Sequence, residues 1–124
     1  MMTDTTSRHI PDAAALLDAD FGPWTDKPTT TTPGQQERDH VLWTSEDGVV
    51  TVGVWEAGVG SFTAVRDGFH ESCHVISGEV NITDDTGEHR LGPGSVFVMP
   101  DGWSGRWDVI QPVRKSYVVI TTRR

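Results

Sequence analysis

The sequence is poor in cysteine, in basic residues and in long apolar runs. Its 124 residues include one cysteine, Cys73, so an internal disulfide is impossible and a disulfide-stabilised secreted scaffold is excluded. No segment approaches the ~20 consecutive apolar residues of a membrane-spanning helix. A signal peptide has basic residues followed by an apolar stretch, and the sequence does not show this pattern. We therefore expect a cytoplasmic protein.

Basic residues are outnumbered by acidic ones, 10 against 18, which gives a net charge of −8. Because such a charge repels phosphates and anionic lipids, we expect neither a nucleic acid nor a membrane as a partner. The sequence also lacks a phosphate-binding glycine loop, the nucleophile motif of serine hydrolases and any Cys-x-x-Cys pair. A small molecule is the expected partner.

Good helix formers are scarce beside β-branched residues. The chain has 15 threonines, 15 valines and 5 isoleucines, whereas leucine and alanine together number 10. β-Branched side chains favour strands, and the 13 glycines and 7 prolines supply turns. Short antiparallel strands must protect their edges by closing into a barrel or a jelly roll. The composition therefore predicts one all-β domain.

The N-terminal and C-terminal parts of the chain differ in amino-acid composition. Residues 1–47 hold four of the seven prolines and a net charge of −6, whereas residues 48–124 hold 11 of the 13 glycines. We predict an irregular N-terminal arm over 1–47, with a short helix at 12–17, that docks on a barrel formed by 48–124. Alternating apolar runs between turn signals predict the following strands: 49–56, 61–66, 71–77, 79–84, 95–99, 105–109 and 113–121.

Two segments carry recognisable motifs. Residues 70–80 place a glutamate, Glu71, seven positions before a turn glycine, Gly78, and residues 92–102 join a glycine, an apolar strand and a Pro-x-Gly turn. Together with the tail at 106–117, these two segments resemble the motifs of the cupin superfamily. In particular, they resemble the small single-domain cupins that are grouped with ureidoglycine-aminohydrolase-like and ethanolamine-utilisation cupins. The resemblance implies a double-stranded β-helix, a jelly-roll-like barrel that is often dimeric and has its site in the mouth. We therefore expect a homodimer.

The chain departs from the metal-binding pattern of that superfamily. Glu71 occupies the position of the glutamate ligand. The three histidine positions fall on other residues, namely Ala64 and Arg66 (or Val65 and Asp67 in the alternative register) and Gly105. Since a divalent ion needs three or four protein ligands, we expect no metal and no other cofactor. The alternative is a non-standard divalent site that uses Glu71 and His74, which requires the strand to twist or bulge.

Glu71, Cys73 and Val75 share one face of their strand, and the resemblance points that face into the barrel. An interior carboxylate can act as a general acid or base, so Glu71 is a candidate catalytic residue. The alternative is a structural glutamate paired with Arg66. The Cys73 thiol is a candidate ligand-binding group, with a small buried apolar residue as the alternative.

Aromatic and basic side chains complete the predicted site. Trp103, Gly105 and Trp107 share one face, so both tryptophans are predicted to bind a ligand for which Gly105 leaves room; the alternative is that they fill the core. Tyr117 is the second candidate catalytic residue, and Arg66 is predicted to bind a carboxylate or amide. Arg114 and Lys115 are assigned to a strand edge or a dimer interface.

These observations predict a cupin-fold enzyme that performs acid/base chemistry on a polar metabolite. Hydrolysis, isomerisation and lyase reactions all remain open, without a metal or with an atypical one. One alternative is a non-catalytic metabolite-binding or sensor protein, and another is a structural scaffold with a filled barrel.

Overall fold

The computed structural model describes residues 4–122, which form an almost entirely β domain. The all-β expectation is confirmed. Eight strands follow one another along the chain, namely β1 (Thr25–Asp26), β2 (Gln36–Thr44), β3 (Val50–Ala57), β4 (Gly60–Val65), β5 (Phe69–Asp84), β6 (Gly87–Leu91), β7 (Val96–Met99) and β8 (Ser104–Thr121). Helical structure is confined to two 3-10 turns, Ala13–Ala15 and Asp18–Asp20. Within residues 4–122, no helix has the length and apolar character needed to cross a bilayer.

Two long strands organise the sheet. The strand order is β1-β2-β3-β8-β5-β6, with β4 paired to β8 and β7 paired to β5, and every pairing is antiparallel. In two regions the sequence predicts a pair of strands, whereas the structure has one long strand. These long strands are β5 and β8, which continue through a bend. At that bend, Gly78 has a φ of +86°, and a Cβ built on it would lie 2.0 Å from the carbonyl oxygen of Pro112. Gly78 thus lets the two strands bend together in close contact.

The core fills one part of the barrel. Trp107 is fully buried and stacks on Phe62 with ring centroids 5.7 Å apart. The other large side chains that are fully buried within residues 4–122 are Cys73, Val75, Val80, Ile82, Met99 and Val113. Burial of large apolar side chains of this kind stabilises the fold by about 1.5–3 kcal/mol each. The remaining interior, towards β2 and β3, is lined by charged residues.

Strand β2 lies where the sequence predicts an irregular arm. Its residues Glu37 to His40 are all charged or polar, and they pair in register with β3. Glu37 and Asp39 face inwards, where they contact Trp55 and Tyr117, whereas Arg38 faces outwards.

The N-terminal arm packs on the outer surface of the sheet. The Arg114 guanidinium donates hydrogen bonds to the carbonyls of Ala13 and Ala14, at 3.0 and 3.2 Å. Phe21 is buried between the guanidinium groups of Arg38 and Arg114, whose central carbons lie 4.5 and 4.9 Å from its ring centroid. The short helix expected at 12–17 is a single 3-10 turn capped by Asp12. These contacts position residues 22–29 over the open end of the barrel.

Candidate functional site

A cavity of about 600 Å³ opens between the arm and strands β2, β3, β4 and β8. Its walls carry both charge signs. The cationic side chains are Lys27, Arg66 and Lys115, and the carboxylates are Glu37, Asp39 and Glu71. Trp55 and Phe62 supply aromatic surface. A volume of this size and mixed polarity suits a small polar molecule.

Glu71 and Lys115 form a buried ion pair in the cavity wall. The Lys115 ammonium donates to Glu71 with an Nζ–Oε2 distance of 2.6 Å, and the two side chains are 6% and 9% exposed. Arg66 Nε lies 3.4 Å from the other carboxylate oxygen. Glu71 faces inwards as the strand period predicts, and its predicted contact with Arg66 is present. Removal of one partner from such a pair leaves an uncompensated buried charge, at a cost of about 3–5 kcal/mol.

The Lys115 ammonium also lies between two indole rings. Its Nζ is 4.6 Å from the centroid of Trp55 and 4.5 Å from that of Trp107, which is the geometry of a cation–π contact. The assignment of Lys115 to a strand edge or dimer interface is therefore wrong, because this side chain is buried in the interior. The second lysine of the chain, Lys27, also lines the cavity, 3.1 Å from Glu37 and 4.6 Å from the Phe62 ring.

Tyr117 and Asp39 form the opposite side of the site. The Tyr117 hydroxyl donates to the Asp39 carboxylate at 2.8 Å, across the intervening strand β3. Gly53 lies beneath this contact, and a Cβ there would stand 2.5 Å from the hydroxyl. Desolvation raises the pKa of the Asp39 carboxyl, against the lowering effect of the Tyr117 hydrogen bond. Desolvation and the Asp39 charge raise the pKa of Tyr117, so its hydroxyl stays a donor at neutral pH.

Three of the predicted ligand-binding residues lie outside the cavity lining. Cys73 and Trp107 belong to the core, and burial raises the pKa of the Cys73 thiol. The Trp103 indole lies over Gly105, where an added Cβ would be 2.6 Å from the ring, and its Nε1 donates to Asp84 at 2.9 Å. The expectation that Gly105 leaves room for a ligand is therefore wrong, because Trp103 occupies that space. A ligand-binding role for these three side chains stays a prediction.

The donor set does not fit the divalent metal that the cupin fold often holds. Glu71 is bound by two cationic groups, which occupy its carboxylate and repel a metal ion. His74 is exposed on the other face of β5, so it does not share a ligand position with Glu71. Among residues 4–122, no three histidine, cysteine or carboxylate side chains lie close enough together to ligate one ion.

Sequence reasoning missed several groups in the cavity, of which Lys115 and Asp39 carry the most weight. The signal for Lys115 was present, because strand alternation places it on the same face as Tyr117. The signal for Asp39 was weak, since β2 has no apolar alternation to mark it as a strand.

The chain was compared with known families and structures. Residues 44–117 match the model of the EutQ-like cupin domain. The EutQ protein of Clostridium difficile superposes with a TM-score of 0.64 at 22% identity, over 75% of this chain and 68% of that one. A protein of unknown function from Pseudomonas syringae gives 0.71 at 24% identity, over 87% of this chain and 46% of that one.

Ectoine synthase from P. lautus gives a TM-score of 0.66 at 15% identity, over 91% of this chain and 78% of that one. These superpositions establish a common fold, and at such low sequence identity they leave the activity open. No curated protein matches the sequence. The matched segment runs from the end of β2 to Tyr117 and contains Glu71, Arg66 and Lys115, and it covers more than half of the sequence. The chain belongs to the EutQ-like cupin family.

Proposed function

We propose that this protein is a metal-independent enzyme that performs acid/base chemistry on a small polar metabolite in the barrel mouth. It acts in the cytoplasm as a homodimer. The observation that carries the proposal is the buried Glu71–Lys115 ion pair in the cavity wall. A buried ion pair is poor support for stability, because the desolvation of both charges offsets most of their attraction. A role in chemistry explains why such a pair lies beside an open cavity.

Glu71 and Lys115 form the proton-transfer couple in this proposal. The Glu71 carboxylate, 2.6 Å from the Lys115 ammonium, can accept a proton from a bound substrate, which leaves the pair with one positive charge, and it can return that proton in a later step, which restores neutrality. Tyr117 is the second catalytic residue: its hydroxyl lines the cavity and remains protonated, and its one hydrogen, which is donated to Asp39 in the structure, is turned towards a substrate oxygen when the substrate binds. Arg66 orients the substrate through its free guanidinium N–H groups.

A binding or sensor function is the second candidate, and one observation favours it. Glu71 is already paired with Arg66 and Lys115, so both of its carboxylate oxygens have cationic neighbours before any ligand binds. A site of this kind retains a ligand well even where no proton is transferred.

Replacement of Glu71 by glutamine distinguishes the two functions. Pools of polar metabolites are incubated with the wild-type protein, and loss of substrate and ligand binding are both followed by NMR. If the protein is an enzyme, Glu71→Gln lowers turnover by about 10²–10⁴-fold while affinity stays within a few-fold. Glu79 lies on the same strand as Glu71 and pairs with Arg90 on the outer surface. Glu79→Gln is therefore the matched control and should retain full turnover. An unchanged rate in Glu71→Gln contradicts the catalytic assignment.

Metal content provides a separate test. We expect plasma mass spectrometry of untagged protein, purified without chelator, to find far less than one divalent ion per chain. The physical reason is that Lys115 and Arg66 already bind the Glu71 carboxylate. Near-stoichiometric metal that disappears in Glu71→Ala would overturn the metal-independent mechanism.

A further inference from the structure

The charges around the cavity do not cancel locally. Arg66 and Lys115 both contact Glu71, so this end of the cavity has two cations for one carboxylate. Arg66 Nε is buried and makes no hydrogen bond within the described part of the chain, although Glu71 Oε1 lies 3.4 Å away in an ion-pair contact. The Arg66 side chain is 13% exposed, so it is largely shielded from solvent. This end therefore has one positive charge in excess and donors to offer an anion.

The other end of the cavity has a carboxylate in excess. Asp39 accepts from the neutral Tyr117 hydroxyl, and no cation lies within 4 Å of it among residues 4–122. The neighbouring carboxylate, Glu37, is paired with Lys27, so that lysine is not available to Asp39. Desolvation, with a smaller effect of the neighbouring Glu37 charge, raises the pKa of the Asp39 carboxyl. A cation would be stabilised here.

The two ends face each other across one indole ring. Asp39, Trp55 and Lys115 occupy one row of the sheet, in register across β2, β3 and β8. Adjacent strands are about 4.8 Å apart, so the backbones of Asp39 and Lys115 are separated by about 10 Å. The Lys115 Nζ lies 4.6 Å from the centroid of the intervening Trp55 ring. Trp55 supplies an apolar surface between them.

We propose that the ligand of this cavity is a small zwitterion, an amino carboxylate whose carboxylate binds Arg66 and Lys115 and whose ammonium faces Asp39 across Trp55. This inference names the substrate class of the site described above. As a statement about a substrate it rests on the proposed function, whereas the predicted binding preference does not depend on catalysis. The ligand carboxylate balances the excess positive charge of Arg66 and Lys115, and the ammonium gives Asp39 a cationic partner.

A ladder of simple ligands tests the proposal by isothermal titration calorimetry. The zwitterions are glycine, 3-aminopropanoate, 4-aminobutanoate, 5-aminopentanoate and 6-aminohexanoate. Butanoate and butylamine each carry one of the two charges. We expect one member of the ladder to bind at least tenfold tighter than both singly charged compounds. Equal affinities for that zwitterion and for butanoate, or no detectable binding by any zwitterion at millimolar concentration, would overturn the proposal.

Two substitutions locate each end. Arg66→Gln should reduce the preference for the zwitterion over butylamine to less than threefold, and Asp39→Asn should do the same for its preference over butanoate. Asp108→Asn removes a carboxylate that bonds Ser61 and Arg106 outside the cavity, so it should leave both preferences intact. If neither Arg66→Gln nor Asp39→Asn alters the preferences, the proposed orientation is wrong.

The result is separable from the test of catalysis. A zwitterion preference that depends on Arg66 and Asp39, in a protein without turnover, supports the ligand class and refutes the enzyme. Turnover of a metabolite that has no ammonium group, if that turnover depends on Glu71, supports the enzyme and refutes the ligand class.

Discussion

At the residue scale, Trp55 connects the parts of the site. Its ring contacts the Lys115 ammonium, its Nε1 donates to Glu37 at 2.8 Å, and its neighbour in register on β2 is Asp39. One indole thus keeps a cation and two carboxylates at fixed positions around an apolar floor. Substitutions at Trp55 should therefore alter binding at both ends of the cavity.

Asp39 gives a prediction about stability and pH. Its pKa is raised in the folded protein, so folding favours the protonated form. The carboxyl therefore stabilises the fold fully below its ordinary pKa of 3.8, and this contribution is lost as the pH rises through the folded value. Asparagine keeps an acceptor for Tyr117 and removes the charge. We expect Asp39→Asn to raise Tm at pH 7.5 and to have little effect at pH 3, as measured by thermal denaturation. A lower Tm at pH 7.5 would contradict this assignment.

The sequence predicts the inward positions of Glu71 and Tyr117, and it fails for Lys115 for a physical reason. A lysine beside an arginine near a chain end is usually solvated, because the desolvation of its charge is costly. Here that cost is offset by Glu71 and by two indole rings, and these come from other strands, far away in the sequence. No local pattern reports such a compensation.

At the scale of the element, the bend shared by β5 and β8 holds the core and the cavity in one sheet. It depends on Gly78, which combines a positive φ with a close approach to Pro112. The sequence marks this glycine as a turn between two strands, and the structure shows one continuous strand because pairing with β8 resumes directly after it.

Gly78→Ala should therefore be unusually destabilising. The left-handed backbone costs an alanine about 1–2 kcal/mol, and the contact with Pro112 adds at least ~1 kcal/mol of strain. Gly34 has a nearly identical φ of +85° and no atom within 4 Å of an added Cβ, so Gly34→Ala is the matched control with the backbone cost alone. Urea denaturation measures both. Equal losses of unfolding free energy would show that the close approach to Pro112 has no energetic weight.

Strand β2 shows where prediction of elements fails. Strand prediction relies on apolar residues at every second position, which mark a face buried against a core. The inner face of β2 carries Glu37 and Asp39 because it borders a polar cavity, and its outer face carries Arg38, which packs on the arm. The same residues that make β2 part of the site thus remove the pattern that would identify it.

At the scale of the whole molecule, charge is distributed unevenly between surface and cavity. The chain has a net charge of −8, whereas the inner end of its cavity has an excess cation. The long-range field repels simple anions, but a zwitterion has no net charge and approaches without that penalty. The overall charge therefore disfavours a simple anion and leaves a zwitterion unaffected.

The oligomeric state is a prediction at this scale. We expect a homodimer, as the family resemblance implies, and β7 leaves Val96 and Val98 65% and 59% exposed in the single chain. Apolar surface of this kind favours association with a second copy. Light scattering at micromolar concentration should give twice the chain mass of 13.6 kDa. A single-chain mass under these conditions would refute the dimer.

The location of the two lysines has a practical consequence for chemical labelling. Lys27 and Lys115 are the only lysines in the sequence, and both line the cavity. Amine-reactive fluorophores, cross-linkers and coupling resins therefore have, apart from the α-amino group, only cavity side chains to modify. Lys115 is 6% exposed and Lys27 is 14% exposed, so both amines should react slowly, and Lys27 the less slowly of the two. Reagents of this class would report on occupancy of the cavity, and immobilisation through them would block its entrance.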